Sequence, residues 1–465
     1  MQKNDFNILM TIYGSIAALA VHFFLVYLGW ANPLILTVPH LILISTALSL
    51  DYRTTRSIMT PMFFFCLTYA VTILIPLGIN YSVLNQILDI SALEQGSLAY
   101  LVFLISCAIA YALTARNPSD RSTFHLEIGK NIRTCFVIAL ALGFVGLLIH
   151  LYSFSSYTDF SISNLITNPN YEYFYARQDG RNWSAIFSEA FAVLSVIVAL
   201  ILDKGLSKEI KPSKPLIMFG VIGIFISALL SGNKTGFFWP FIGILAIQGF
   251  YYKKLRKIGL ALISIALLVL LFFTFIWRGA FSSIADMPAS LAEYNQIFYF
   301  TARTVTEIRP DAEYLHEATS DLLLYLIPRM VWQDKPLELG LTGRYLQHIF
   351  ISTDLPANRA FSTTGLSEAW MASGYYGIIV SGLLMGLILS WSRSQLIKPE
   401  SVGKLIYAAY IYGTIYFILR VGFLNVYIYN LLFVYGLTRL MDSISSLELS
   451  LGFRARPSKV PLRSE

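Results

Sequence analysis

The sequence predicts an all-α polytopic membrane protein of about twelve transmembrane helices, with a large helical extracytoplasmic loop between spans 9 and 10. Three observations predict it. Of the 465 residues, 56% are hydrophobic and only 13% are charged, whereas soluble domains carry about 25% charged residues. Mean hydropathy is +0.63, and the apolar residues gather into runs near the ~20 residues that a helix needs to cross a bilayer. The basic residues, finally, concentrate in every second connection between those runs, as cytoplasmic loops require.

The runs fall at 8–29, 33–50, 58–79, 97–115, 134–153, 183–202, 216–230, 237–252, 258–277, 365–391, 404–419 and 421–440. Lys3 precedes the first, and no small-residue cleavage site follows it, so an uncleaved first helix is expected. With the N-terminus cytoplasmic, the inner connections hold Arg53 and Arg56, then Arg116, Arg121, Lys130 and Arg133, then Lys204, Lys208, Lys211 and Lys214. Lys253, Lys254, Arg256 and Lys257 follow, then Arg393, Lys398 and Lys404. The cytoplasmic tail, 441–465, adds Arg454, Arg456, Lys459 and Arg463. Outer connections are short and neutral at 29–33, acidic at 80–96 through Asp89 and Glu94, or long and mixed. The whole chain, 1–465, thus reads as one transmembrane domain.

Two outer segments exceed a minimal loop: 154–182, rich in aromatics, and 279–363. In the second, Leu291, Tyr294, Phe298, Val305 and Ile308 recur at helical spacing, as do Leu315, Ala318, Leu322 and Leu326. These predict amphipathic helices lying on the bilayer or on the bundle. The composition excludes several classes. The formal charge of +7 is spread over loops rather than over the basic face of a nucleic-acid-binding module. Cys66, Cys107 and Cys135 lie in or beside apolar runs and read as small core residues. Of the six histidines, His22 and His40 read as core residues within spans. No metal-ligand spacing occurs, so neither metal nor cofactor is expected.

Charge at a membrane mouth is costly and marks candidate sites. The outer side holds Arg177, Arg181, Lys234, Arg278, Arg303, Arg309, Arg329, Lys335, Arg344, Arg359 and Arg420, and no charge is expected at mid-depth in a span. Because acids outnumber bases in the large loop, its arginines are not a general basic coat. An anionic partner with phosphate oxygens suits their forked donors. The segment Ile327–Pro336 sets Arg329, Trp332 and Lys335 between two prolines; an interfacial turn with a Trp anchor reads equally from it. Ser231–Gly236 surrounds Lys234 with glycine and small polar residues, as an anion-binding turn or a plain hairpin would. Thr364 to Trp370 opens span 10 and puts Glu368 in its first turn, as a general base or as a helix-supporting acid. His348 is a second candidate base. Tyr173, Tyr175, Arg177 and Arg181 of the 154–182 loop suit a sugar, or an aromatic belt.

Together these segments resemble the O-antigen (Wzy-type) polymerases, the oligosaccharide repeat unit polymerase family. The resemblance rests on the Ser-Gly-Asn-Lys-Thr-Gly turn, Pro-Arg-x-x-Trp-x-Asp-Lys-Pro at 328–336, and Thr-Gly-Leu-Ser-Glu at 364–368 with the small-residue stretch through Gly377. An Arg and a Gly separated by ten residues, Arg329 and Gly340, are similar to a feature of some members. Its second copy is missing, because Ser188 stands eleven residues after Arg177. The resemblance implies a membrane glycosyltransferase of the GT-C type in the bacterial inner (plasma) membrane, with both termini cytoplasmic. It implies undecaprenyl-diphosphate-linked oligosaccharides as substrate, metal-independent glycosyl transfer at the periplasmic face, and a chain-length regulator as partner. An O-antigen ligase is the nearest alternative, and a lipid-linked oligosaccharide flippase is the alternative from another class.

Overall fold

The computed structural model describes residues 3–30, 32–55, 60–74, 77, 88–115, 132–155, 182–201, 212–230, 297–325, 364–397, 399–421 and 427–450. Among these residues every regular element is helical and no strand occurs. The first four helices are bounded by recognisable chemistry. Helix α1 (Lys3–Tyr27) ends beside Gly29, whose positive φ of 68° turns the following Trp30 N–H back to donate to the Leu25 carbonyl at 2.9 Å. Helix α2 (Pro33–Thr55) starts on a proline, with the Asn32 side chain accepting from the Leu34 N–H at 2.9 Å. Helix α3 (Pro61–Tyr69) repeats that design with a Thr60 cap, then widens into a π turn at Ala70–Leu74. Helix α4 (Ile90–Thr114) is capped by Asp89, which accepts from the Ala92 N–H at 2.7 Å.

The remaining helices are α5 (Ile132–Ser155), α6 (Asn182–Ile201), α7 (Lys214–Leu230), α8 (Ile297–Glu307), α9 (Ala312–Tyr325), α10 (Gly365–Ser373), α11 (Tyr375–Ile397), α12 (Val402–Val421) and α13 (Tyr427–Ser450). Five of the described helices, α1, α2, α4, α5 and α11, are long and apolar enough to cross a membrane. Large apolar side chains such as Tyr13, Ile16, Phe23 and Phe24 of α1 are exposed, as the lipid-facing side of a membrane helix would be. The apolar runs 237–252 and 258–277 lie outside the described residues.

One apolar run differs from expectation. The stretch 365–391 is not a single helix but two, α10 and α11, broken at Gly374. Gly374 has φ 63° and ψ −139°, a backbone conformation nearly confined to glycine because it has no Cβ. Hydropathy alone does not register that break, since the residues on either side remain apolar.

Helix α4 is the hub. Helix α11 packs against it more closely than any other described pair, and α1, α2 and α8 also lie on it. The seam is built on Gly382 and Gly386. A Cβ on Gly382 would sit 2.6 Å from the Phe103 carbonyl oxygen and 2.7 Å from Ser106 Cβ, and one on Gly386 would meet Ala110 Cβ at 2.7 Å. Small residues four apart allow this backbone approach, which substitutes dispersion for the hydrophobic drive that lipid does not provide. Two apolar cores result. The first joins α1–α4, α8, α10 and α11 with the end of α12, and the second joins α5–α7, α12 and α13 with the last turn of α11.

The predicted amphipathic helices of the large outer segment are α8 and α9. Phe298 of α8 stacks on Tyr100 of α4 with ring centroids 5.8 Å apart, and Val305 is buried, so α8 lies on the bundle rather than on lipid. On α9, Leu315 of the predicted apolar stripe is 42% exposed, as a side chain lying on the bilayer would be, while its neighbour Tyr314 is 2% exposed and packs against Met371 of α10. Leu291, Tyr294 and Leu326 lie outside the described residues.

Candidate functional site

Helix α10 carries Glu368, and the elements around it explain its position. Thr364 caps α10, its Oγ1 accepting from the Ser367 N–H at 3.0 Å, so the first turn and its partial positive charge are fixed beneath the carboxylate. Thr364 Oγ1 also lies 2.7 Å from Ser367 Oγ and 2.5 Å from Thr301 Oγ1 of α8. Thr301 in turn meets the Tyr100 hydroxyl of α4 at 2.8 Å. Four buried hydroxyls therefore run from α4 through α8 to the start of α10. The other end of α10 is tied to the chain after α8: Trp370 Nε1 donates to the Ile308 carbonyl at 2.9 Å, and the Asp311 N–H donates to the Met371 carbonyl at 2.9 Å. Glu368 sits inside this frame and is 3% exposed. Its position in the first turn of a helix is as the sequence predicts.

Two predicted outer cations, Arg303 and Arg309, have side chains among the described residues; Arg309 is exposed beyond the end of α8, whereas Arg303 is half-buried. It is held on α8 by Glu307 one turn later, with Nε–Oε1 at 2.5 Å and Nη2–Oε2 at 2.8 Å, and it donates to the Tyr299 hydroxyl at 3.2 Å. Desolvation works against its charge, but the Glu307 and Tyr299 hydrogen bonds outweigh it and raise the guanidinium above its ordinary pKa. Arg420 ends near the last residue of α12, and only its backbone is described. Lys234, Arg278, Arg329, Trp332, Lys335, Arg344, His348, Arg359, Tyr173, Tyr175, Arg177 and Arg181 lie outside the described residues. Neither their distance from Glu368 nor their company is therefore described. No cluster of metal-ligating side chains occurs among the described residues.

The expectation of no charge at mid-depth in a span is overturned at Glu189. It lies seven residues into α6 and is 8% exposed, roughly 10 Å along the helix at 1.5 Å per residue. Its Oε2 accepts from the Tyr410 hydroxyl of α12 and its Oε1 from Asn430 Nδ2 of α13, each at 3.0 Å. A buried ion pair lies at the opposite end of the bundle from Glu368. Arg393, read from sequence as a loop base, lies within α11 and pairs with Asp51 of α2 at 3.7 Å, with the two side chains 3% and 2% exposed. Tyr111 of α4 donates to Asp51 Oδ1 at 2.8 Å, Arg393 donates to Thr54 Oγ1 at 2.9 Å, and the guanidinium lies over the Tyr111 ring. The signal available in the sequence was the single acid in the run 183–202. For Arg393 it was the run of apolar and small residues continuing past Trp391, which lets the helix extend beyond the hydropathy boundary.

His40 behaves as the satisfied core residue expected: its Nδ1 meets the Tyr69 hydroxyl at 2.8 Å and its Nε2 meets Ser97 Oγ at 3.0 Å. His22 is buried beside Phe23, but its Nδ1 has no hydrogen-bond partner among the described residues.

No family model, curated protein or solved structure matches the chain.

Proposed function

We propose that this chain is a metal-independent membrane glycosyltransferase that polymerises undecaprenyl-diphosphate-linked oligosaccharide repeat units at the periplasmic face of the bacterial inner membrane. In this reading about twelve spans, arranged as a GT-C type fold, carry the large outer segment, and both termini are cytoplasmic. The observation that carries it is the carboxylate of Glu368, buried in the first turn of α10 where α8 of the outer segment docks. A carboxylate on a helix N-terminus in a desolvated frame is a suitable acceptor for a sugar hydroxyl proton.

The reaction is a single displacement. The terminal hydroxyl of an incoming lipid-linked repeat attacks the anomeric carbon at the reducing end of the growing chain, and its proton passes to Glu368 or His348. The glycosidic C–O bond to the diphosphate breaks, and undecaprenyl diphosphate leaves with the electron pair. Arg329, Lys335, Arg278 and Lys234 stabilise the charge that develops on it, with Arg344, Arg359, Arg303 and Arg420 as further cations. Tyr173, Tyr175, Arg177, Arg181 and Trp332 hold the sugars, and a chain-length regulator sets the product size.

Replacement of the wild-type gene by Glu368→Gln or Arg329→Ala tests this. Each variant should lose long polymer while its membrane level stays normal, because removal of a general base or of a transition-state cation slows transfer by about 10²–10⁴-fold. Wild-type chain lengths from both would sink the reading. A deletion strain separates the nearest rival: a single repeat on the lipid A core points to a polymerase, and a bare core to a ligase. Transport of a lipid-linked sugar draws support from Glu189, a buried acid within α6, since intramembrane acids line many transport pathways. It predicts that unpolymerised lipid-linked repeats accumulate on the cytoplasmic leaflet when the gene is deleted.

A further inference from the structure

At the Arg393 end of the bundle, a small cavity opens between α1, α2, α4 and α11. Asn7, Thr11, Asp51, Thr54, Tyr111 and Arg393 provide its polar lining, and Ala47, Ala108, Ala112 and Ala115 most of the rest. Two buried atoms in this lining, Asp51 Oδ2 and Arg393 Nε, have no hydrogen-bond partner among the described residues. Of the other polar atoms of the pair, Oδ1 accepts from Tyr111, Nη2 donates to Thr54 and Nη1 faces Oδ1 at 3.7 Å, while the Thr60 hydroxyl also lies beside the carboxylate. Leaving both a carboxylate oxygen and a guanidinium N–H without partners in a buried site is costly, and buried polar groups are nearly always satisfied.

Size and charge decide what fits. About 30 Å³ of the cavity admits water, room enough for one ordered molecule. A cation would lie against Arg393 and an anion against Asp51, so the occupant is neutral and must both donate and accept. We propose that this cavity is a binding site for a single structural water, accepting from Arg393 Nε–H and donating to Asp51 Oδ2. The water completes an ion pair whose direct separation, 3.7 Å, is too long for a hydrogen bond of its own. It thereby joins α2 to α11 and brings α1, through Asn7 and Thr11, against the same polar centre.

The test uses the full wild-type chain in lipid nanodiscs. Radiolytic hydroxyl labelling marks side chains beside ordered water even where bulk solvent does not reach. Tyr111 should be labelled severalfold faster than Tyr69 and Tyr410, which are also buried. Equal rates for the three tyrosines would overturn the proposal. A density map that resolves both side chains gives the second readout: a peak within hydrogen-bond distance of Oδ2 and Nε supports the water, and no peak there rejects it. A peak that gains anomalous signal when rubidium or bromide replaces the buffer ions would identify an ion instead and would equally reject it.

Discussion

Asp51→Asn keeps the shape of its side chain but leaves the Arg393 guanidinium buried without the formal charge that faces it. Breaking a buried pair in this way costs about 3–5 kcal/mol, and the purified variant should melt well below the wild type in detergent. The double variant Asp51→Leu, Arg393→Met removes both charges together and should recover most of that loss. Equal melting temperatures for Asp51→Asn and the wild type would show that the pair contributes nothing. The same residues mark the limit of what the sequence discloses. An isolated acid or base near the end of an apolar run looks identical whether it faces water or folds inward. Arg393 is buried only because α2 and α4 bring Asp51 and Tyr111 to it, and no local pattern records that meeting. Glu368 is the opposite case. Its place in a first turn follows from Thr364 and Gly365 alone, whereas its burial follows from the helices packed on α10, among them α8, more than fifty residues earlier in the chain.

The α4–α11 seam and the α8–α10 contact make separate demands on their side chains. At the seam, Gly386→Val drives two methyl groups toward the Cys107 carbonyl and Ala110. Overpacking of that kind costs about 1–3 kcal/mol where the backbone can yield, and less folded protein should survive detergent extraction. Unchanged yield and melting would show that α11 can shift freely on α4. At the α8–α10 contact, Thr301→Val removes the hydroxyl between Tyr100 and Thr364. Two buried hydroxyls then lack their shared partner, at about 1–3 kcal/mol. Thr301→Ser, which restores the hydroxyl, should recover stability measured by thermal melting. If valine and serine melt alike, the hydroxyl chain does not hold α8 in place. The helices themselves were readable because runs of apolar residues near the length of a bilayer leave few alternatives. The glycine corner was not, since a positive φ depends on the path of the chain and not on its hydropathy.

At the scale of the whole molecule, α4 connects two polar centres. Tyr100 reaches the hydroxyl chain near Glu368 and Tyr111 reaches Asp51; the two tyrosines are eleven residues apart, about three helical turns, and so share a face. The corner at Gly374 has a consequence for biogenesis. In the proposed topology only α11 of the pair has to be threaded through the bilayer, while the nine residues of α10 stay at the outer interface. Their docking partner, α8, has by then been exported with the preceding segment. The carboxylate of Glu368 therefore becomes enclosed late, after the ribosome has released α10, and a protein stalled at that stage would be inserted but inert.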